Sequence, residues 1–201
     1  MLDFGCGWGR ILRFWLKDFE ADHVWGVDVQ KEAVDICEGL AFPCNLKQIP
    51  SGPPVDLPAD KFGLIYAFSV FSHLSPEAAD AWVAEFHRIL KPGGTAMLST
   101  RPRSFIEMVG NARKMNPAPE WTKRIVHHFQ DENKWLSRYN AGEFCFEPVG
   151  LGGDPSKSFY GEAVIPKDYV VKHWAGSKFR LCAFLAGDRL VEQNIIILQK
   201  K

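Results

Sequence analysis

Met1-Leu2-Asp3-Phe4-Gly5-Cys6-Gly7-Trp8-Gly9-Arg10 opens the chain, and its reading decides the fold. A short apolar run, Met1 to Phe4, enters glycines at alternate positions, and an amphipathic pattern follows. From Gly9 to Phe19 the spacing predicts a helix. Ile11, Leu12, Trp15, Leu16 and Phe19 share one face, and Arg10, Arg13, Lys17 and Asp18 lie off it. A glycine-rich turn between a strand and a helix lets a ligand approach the backbone closely. The helix start offers unpaired N–H groups that suit a carboxylate or a phosphate. A tight turn that holds nothing is the plain alternative.

Outward from this turn, strand and helix signals alternate. His23 to Val29 reads as a strand ending in an acid, Asp28. Gln30 to Leu40 reads as a helix with Ala33, Cys37 and Leu40 inward, and Asn45 to Ile49 as a weak strand. Residues 51–60 hold three prolines and a glycine and read as a loop. Phe62 to Phe68 is a near-continuous apolar run, as in a parallel strand buried on both faces. Ser75-Pro76 is a helix start, with serine as cap and proline in the first turn. That helix points Trp82, Val83, Phe86, Ile89 and Leu90 inward and stops at Lys91-Pro92-Gly93-Gly94, before a strand from Thr95 to Thr100. The alternation implies an open parallel sheet covered on both faces, with ligands at the carboxyl ends of its strands.

Residues 101–160 break the rhythm with Pro102, Pro117, Pro119, Pro148, Pro155 and the stretch Gly150 to Gly153. Helix is expected over Ser104 to Arg113 and Trp121 to Trp135. The segment reads as an insertion or lid on one domain spanning residues 1–201. Afterwards Lys167 to Trp174 reads as a short helix, and Phe179 to Leu185 and Gln193 to Leu198 as strands. Ala186-Gly187-Asp188-Arg189 joins these strands as a turn, which makes them antiparallel neighbours.

Composition narrows the function classes. The chain has 201 residues, 46% of them hydrophobic, and a formal net charge of zero. General binding to nucleic acid or to an anionic membrane usually needs a basic excess, so neither is expected. No apolar run is long enough to span a bilayer, and the opening residues lack the pattern of a secretory signal. Cys6, Cys37, Cys44, Cys145 and Cys182 form no CxxC pair, so no metal site is expected. Reduced, mostly buried thiols in a cytoplasmic protein are the expectation.

The glycine spacing separates two ligands. The dinucleotide fingerprint G-x-G-x-x-G, started at Gly5, needs a third glycine where Arg10 stands. The actual glycines are 5, 7 and 9, preceded by Asp3. An acid there accepts from an ammonium group, which S-adenosylmethionine carries and a nicotinamide dinucleotide lacks near its pyrophosphate. At this point the chain resembles the class I S-adenosylmethionine-dependent methyltransferases. Asp3 to Gly9 is similar to their first motif, D/E-x-G-x-G-x-G, and Asp28 to the acid that takes both ribose hydroxyls. Phe62 to Ser75 resembles their fourth-strand motif, and Leu90 to Gly94 the turn before their fifth strand.

The resemblance implies a three-layer, Rossmann-like α/β fold. Its seven-stranded sheet has the order 3-2-1-4-5-7-6, with strand 7 antiparallel. It implies S-adenosyl-L-methionine as cofactor. Asp3, Gly5, Cys6 and Gly7 then line its methionine end, Asp28 its ribose and Val29 its adenine, while Phe68 and Ser69 approach the methyl group. Three departures stand out. Gly63 replaces a frequent acid in the fourth strand, and the acid after the third strand is absent, with Gln48 or Ser51 as substitutes. Helices that usually precede the first strand are missing, so an amino-terminally shortened form is expected.

For the chemistry, His73 in Phe71-Ser72-His73-Leu74-Ser75 is the candidate base, against a loop histidine that only bonds backbone. His127, His128, Tyr139 and Tyr160 are weaker candidates. The insertion's Phe105, Trp121, Phe129, Trp135, Tyr139, Phe144 and Phe146 either wall an apolar pocket or simply pack a lid. Residues 101–140 hold eight Lys or Arg against four Asp or Glu, which tolerates an anionic acceptor but equally describes a solvated surface. The reading is methyl transfer to a small-molecule or saccharide-like acceptor. A non-catalytic domain that binds the cofactor or a partner is the alternative.

Overall fold

The computed structural model describes residues 1–115, 120–123, 125–148, 159–187 and 191–201. The expected turn at Asp188-Arg189 and the glycine stretch 150–153 lie outside the described residues, as do Pro117, Pro119 and Pro155.

In chain order the elements are β1 (Leu2–Phe4), α1 (Leu12–Trp15), β2 (Trp25–Asp28), α2 (Lys31–Gly39), β3 (Asn45–Gln48), β4 (Phe62–Ala67), α3 (Pro76–Ile89) and β5 (Leu90–Thr100). There follow α4 (Ser104–Lys114), α5 (Glu132–Asn140), β6 (Cys145–Pro148), β7 (Gly161–Val164), α6 (Lys167–Tyr169), β8 (Phe179–Leu185) and β9 (Asn194–Lys200). A seven-stranded sheet runs β3-β2-β1-β4-β5-β9-β8. The first five of these strands are parallel, and β9 runs antiparallel to both β5 and β8. This is the expected 3-2-1-4-5-7-6 order, with β9 as the antiparallel seventh strand.

β4 is central because Phe62, Ile65 and Ala67 are buried. On α3, Ser75 Oγ accepts from the Ala78 N–H at 3.3 Å and Pro76 holds the first turn. Trp82, Val83, Phe86 and Ile89 are buried on its inner face, and Phe4 meets Trp82 and Phe86 edge-on at 4.6 and 4.9 Å. Such contacts add to the area each ring buries. The loop after β3 is tied to α3. Glu85 accepts from the Val55 N–H at 2.9 Å, and Arg88 bonds Glu85 and the carbonyls of Val55 and Leu57.

Three expectations are corrected. The helix expected from Gly9 to Phe19 is one turn, Leu12–Trp15, because only Leu12 is buried while Phe14 and Phe19 are exposed. Short helices depend on a buried face, and this one has little. Leu40, expected inward on α2, is 58% exposed, since the helix closes at Gly39. The helix expected over Trp121 to Trp135 begins only at Glu132, where Asp131 caps it by accepting from the Lys134 N–H. Beyond these, β6 and β7 form an antiparallel hairpin that sequence pattern did not reveal.

Candidate functional site

The turn after β1 is held on both sides. The N–H groups of Gly5 and Cys6 donate to the Val27 carbonyl at 2.8 and 3.0 Å. The Gly7 N–H donates to Asp28 Oδ2 at 2.8 Å, and the Gln30 N–H to Asp28 Oδ1 at 2.9 Å. Gly5, Gly7 and Gly9 all have positive φ, which explains glycine at each. At Gly5 space also decides. A Cβ there would lie 2.4 Å from Val70 Cγ2. α1 starts only at Leu12, three residues past the last glycine of the turn, and its N-cap residue Ile11 lines the cavity at the turn.

Two cavities of about 200 Å³ each flank the turn and share Gly5. Asp3, Cys6, Gly7, Trp8, Arg10 and Phe68 line one. Asp28, Val29, Ile49, Ser51, Ser69 and His73 are among the residues lining the other. All the residues singled out in the sequence as cofactor-contacting, and His73, therefore meet at the carboxyl ends of β1, β2 and β4. Ser51 is on the wall, whereas Gln48 turns to the Val29 carbonyl at 3.2 Å.

Asp3 is only 2% exposed, and among the described residues its Oδ2 has no hydrogen-bond partner. Burial, then the charge of Asp28, pushes its carboxyl up to about 7. Asp28 differs. Each of its oxygens accepts one backbone N–H, which leaves acceptor capacity on both.

At the end of β4, Ser69 takes a left-handed φ of 61°, unusual for a side-chain-bearing residue. It is fixed by a closed set of bonds. The Ser69 N–H donates to Ser99 Oγ at 2.7 Å, the Ser99 hydroxyl to Gln193 Oε1 at 2.7 Å, and Gln193 Nε2 to Ser69 Oγ at 3.1 Å. Such strain clusters at functional sites.

His73 follows one turn later. Its Nδ1 is 2.9 Å from the Gly161 carbonyl, and a carbonyl only accepts, so the proton sits on Nδ1 and Nε2 carries the lone pair. Tyr160 stacks on the ring at 5.2 Å, and Glu162 Oε1 lies 3.7 Å from Nδ1. Burial pushes the imidazole below its ordinary range, opposed by Glu162 and the Gly161 carbonyl and aided by Arg101. His73 is thus a backbone-bonded loop residue that also lines the cavity wall.

Apart from Tyr160, which lines the same cavity, the other candidates fall elsewhere. His127 is exposed, and His128 is buried beside Glu147; neither lines these cavities. Phe105, Phe129, Trp135 and Tyr139 pack a small second core with Ile106, Val109 and Cys145. Phe144 and Phe146 join the main core, and the side chain of Trp121 lies outside the described residues. Among the described residues no cluster of three His, Cys, Asp or Glu side chains has the arrangement to hold a metal ion, and no helix is long and apolar enough to cross a membrane.

Residues 1–94 match the family model described as a methyltransferase domain. A little under half of the chain is thus similar to a methyltransferase domain. It is 34% identical over 104 residues to the cyclopropane-fatty-acyl-phospholipid synthase of Escherichia coli (strain K12), covering 50% of this chain and 25% of that protein. It is 27% identical over 104 residues to a probable fatty acid methyltransferase of Pseudomonas putida, covering 48% of this chain and 25% of that protein. The match thus spans about a quarter of the length of these curated relatives. Among solved structures, an S-adenosylmethionine-dependent methyltransferase from Methanosarcina mazei has a TM-score of 0.59 at 18% identity, covering 99% of this chain and 91% of that one. One from Mesorhizobium loti has a TM-score of 0.61 at 13% identity, covering 99% and 90%. These last two likenesses concern the fold.

The cofactor that the sequence resemblance implies is S-adenosyl-L-methionine. The residues present fit it. An unpaired, buried carboxylate oxygen at Asp3 suits an ammonium, and spare acceptor capacity at Asp28 suits a pair of hydroxyls. Sequence reasoning missed Gln30, Ile49, Val70, Leu74 and Trp82 on the wall. Gln30 and Val70 directly follow Val29 and Ser69, so extending each strand-end motif by one residue finds them.

Proposed function

We propose that this chain transfers a methyl group from S-adenosyl-L-methionine to a small-molecule acceptor. The observation that carries the reading is the unpartnered oxygen of Asp3, buried beside the glycine turn. An isolated buried carboxylate is costly, and a cationic ligand removes that cost. When bound, the cofactor supplies a methyl on a cationic sulfur, which leaves with the bonding pair as the acceptor's lone pair attaches.

The chain's own residues then bind, orient and accept a proton. Asp3 holds the ammonium and Asp28 the ribose hydroxyls. Gly5 and Gly7 let the ligand lie against backbone. Val29 and Ile49 supply apolar wall for the adenine, while Phe68 and the strained Ser69 border the reacting end. His73 takes the acceptor's proton on Nε2, and its Nδ1–H bond to Gly161 keeps that nitrogen unprotonated beforehand. Residues 101–160 act on the acceptor's side, since Phe159 and Tyr160 wall the His73 cavity and Arg101 and Phe105 the next one. The curated relatives are named for fatty acyl substrates, and an acceptor with an apolar body accords with them.

Calorimetry with S-adenosylhomocysteine tests the reading. A saturable, one-site heat is expected. No heat at millimolar ligand ends it.

A further inference from the structure

The cavity next to the His73 site is larger, about 690 Å³, within the ordinary range of ligand sites. It opens at the carboxyl end of β5, and Pro102, Phe105, Met108 and Ile125 give it an apolar wall. Arg101, the first residue past β5, lines it as well. A bridge to Val164 fixes the backbone of Arg101, and its guanidinium lies 4.4 Å over the ring of Phe105.

Arg101 is also the link between the two cavities. Its Nε donates to Glu162 Oε2 at 3.2 Å, and Glu162 Oε1 faces His73 at 3.7 Å. Glu162 is buried, so one carboxylate holds Arg101 by a hydrogen bond and lies against the ring of His73, which the Gly161 carbonyl fixes. Arg101 uses only Nε for this. Its two Nη groups make no hydrogen bond among the described residues. A guanidinium presents five N–H donors in a rigid fork, and the Nη edge suits a carboxylate or phosphate bidentately.

Several other cations of residues 101–140 are already engaged. Arg103 bonds Glu107 and Asn140, and Arg113 donates to the carbonyls of Val126, His128 and Phe129. Lys114, Lys123 and Arg138 pair with Glu132, Glu120 and Glu143. Among the described residues that line this cavity Arg101 is the cation, so an anion's claim on it rests on Arg101. Glu192, also on the wall, is exposed to solvent.

We infer that Arg101 anchors an oxyanion, carboxylate or phosphate, on an acceptor whose apolar body lies against Phe105, Met108 and Ile125. The inference rests on the methyl-transfer reading for calling that ligand the acceptor. Arg101 is held by the carboxylate that also faces His73. The anchored group is thereby registered to the base, and an acceptor bound through Arg101 reaches the reacting end in one orientation.

Octanoate, octyl phosphate and octan-1-ol, titrated into the full chain and followed by NMR or calorimetry, test it. At least one of the two anions should bind tenfold or more tighter than the alcohol. The tighter of the two identifies the head group. Arg101→Gln should erase that advantage and leave octan-1-ol unchanged, while Arg101→Lys, which keeps charge but loses the fork, should keep part of it. Equal binding of all three probes overturns the inference, as does an advantage that survives Arg101→Gln. Should Arg101→Gln not fold, Met108→Glu brings a negative charge to the same wall. It should weaken the preferred anion tenfold or more without changing S-adenosylhomocysteine affinity, and unaltered anion binding there is equally fatal. S-adenosylhomocysteine titration of the same protein reads the methyl-transfer proposal separately. Anion binding without it removes the methyl-transfer role and leaves the Arg101 site.

Discussion

The Gly7 N–H donates to Asp28 Oδ2 at 2.8 Å, so the glycine turn after β1 is tied to the acid that ends β2. One carboxylate thus serves two ends. It orders the turn through Gly7 and Gln30, and its remaining lone pairs face the cavity. Asp28→Ala is expected to weaken S-adenosylhomocysteine binding at least tenfold, about 1.4 kcal/mol or more. It should also lower folding stability by about 1–2 kcal/mol, because two backbone donors lose their partner. Calorimetry beside a denaturant melt separates these effects. Unchanged affinity removes Asp28 from the ribose role.

Asp3 makes cofactor affinity depend on pH. Its carboxyl, pushed up to about 7, is mostly protonated at pH 6 and mostly ionised at pH 8 in the ligand-free protein. An ammonium pairs only with the ionised form, so affinity should rise about tenfold between those values. Asp3→Asn should flatten the profile at the weak end. The sign for folding is opposite. The folded carboxyl titrates above its ordinary 3.8, so stability in the ligand-free protein falls as pH rises from about 4 to about 7 and then levels. Calorimetric titrations across this range, wild type beside Asp3→Asn, give the answer. A wild-type profile as flat as the variant's rejects the ammonium partner.

His73 should behave as a neutral base with Nε2 unprotonated at pH 7. Nitrogen NMR of labelled protein is expected to find the proton on Nδ1, given the Gly161 carbonyl at 2.9 Å. Because burial lowers the imidazole below its ordinary 6.5, the acid limb of turnover should fall below that value. The same lowering means folding stability declines as pH drops from about 6.5 through the folded value. His73→Ala should reduce S-adenosylhomocysteine release by roughly 10²–10⁴-fold at unchanged cofactor affinity. Full turnover in that variant would end the role of His73 as base.

What could be read from sequence was what local chemistry writes. The run Phe62 to Ala67, the cap at Ser75-Pro76 and the glycine spacing each act within a few residues, and each stands where it was expected. Other features depend on what lies opposite. Ile11, Leu12, Trp15, Leu16 and Phe19 form an apolar stripe on paper, but of these only Leu12 is fully buried, and α1 stops at one turn. The strands of the β6–β7 hairpin carry Glu147, Pro148, Gly161 and Glu162, with little β-preference between them. Their pairing is set by neighbours distant in the chain. The candidate site divides likewise. Asp3, the glycines and Asp28 sit in motifs. The bonds from Arg101 to Glu162 and from His73 to Gly161 join residues 61 and 88 apart, and no spacing rule announces them.

Gly5 and Gly7 offer a contrast that isolates the role of space. Both have positive φ, which costs an alanine about 1–2 kcal/mol. A Cβ on Gly7 meets nothing within 4 Å, so Gly7→Ala should show that conformational cost alone. A Cβ on Gly5 lies 2.4 Å from Val70 Cγ2 and forces that side chain to move. Val70 stands on the wall of the His73 cavity, so the displacement reaches the ligand. Gly5→Ala is therefore expected to destabilise more than Gly7→Ala, by a further 1–3 kcal/mol or so, the usual cost of overpacking. It should also weaken S-adenosylhomocysteine binding. Adding Val70→Ala relieves the contact but not the φ, so the double variant should recover to about the level of Gly7→Ala. Denaturant melts of the three variants decide it. Equal destabilisation by Gly5→Ala and Gly7→Ala shows that backbone conformation, and not the approach of Val70, is what demands glycine at this turn.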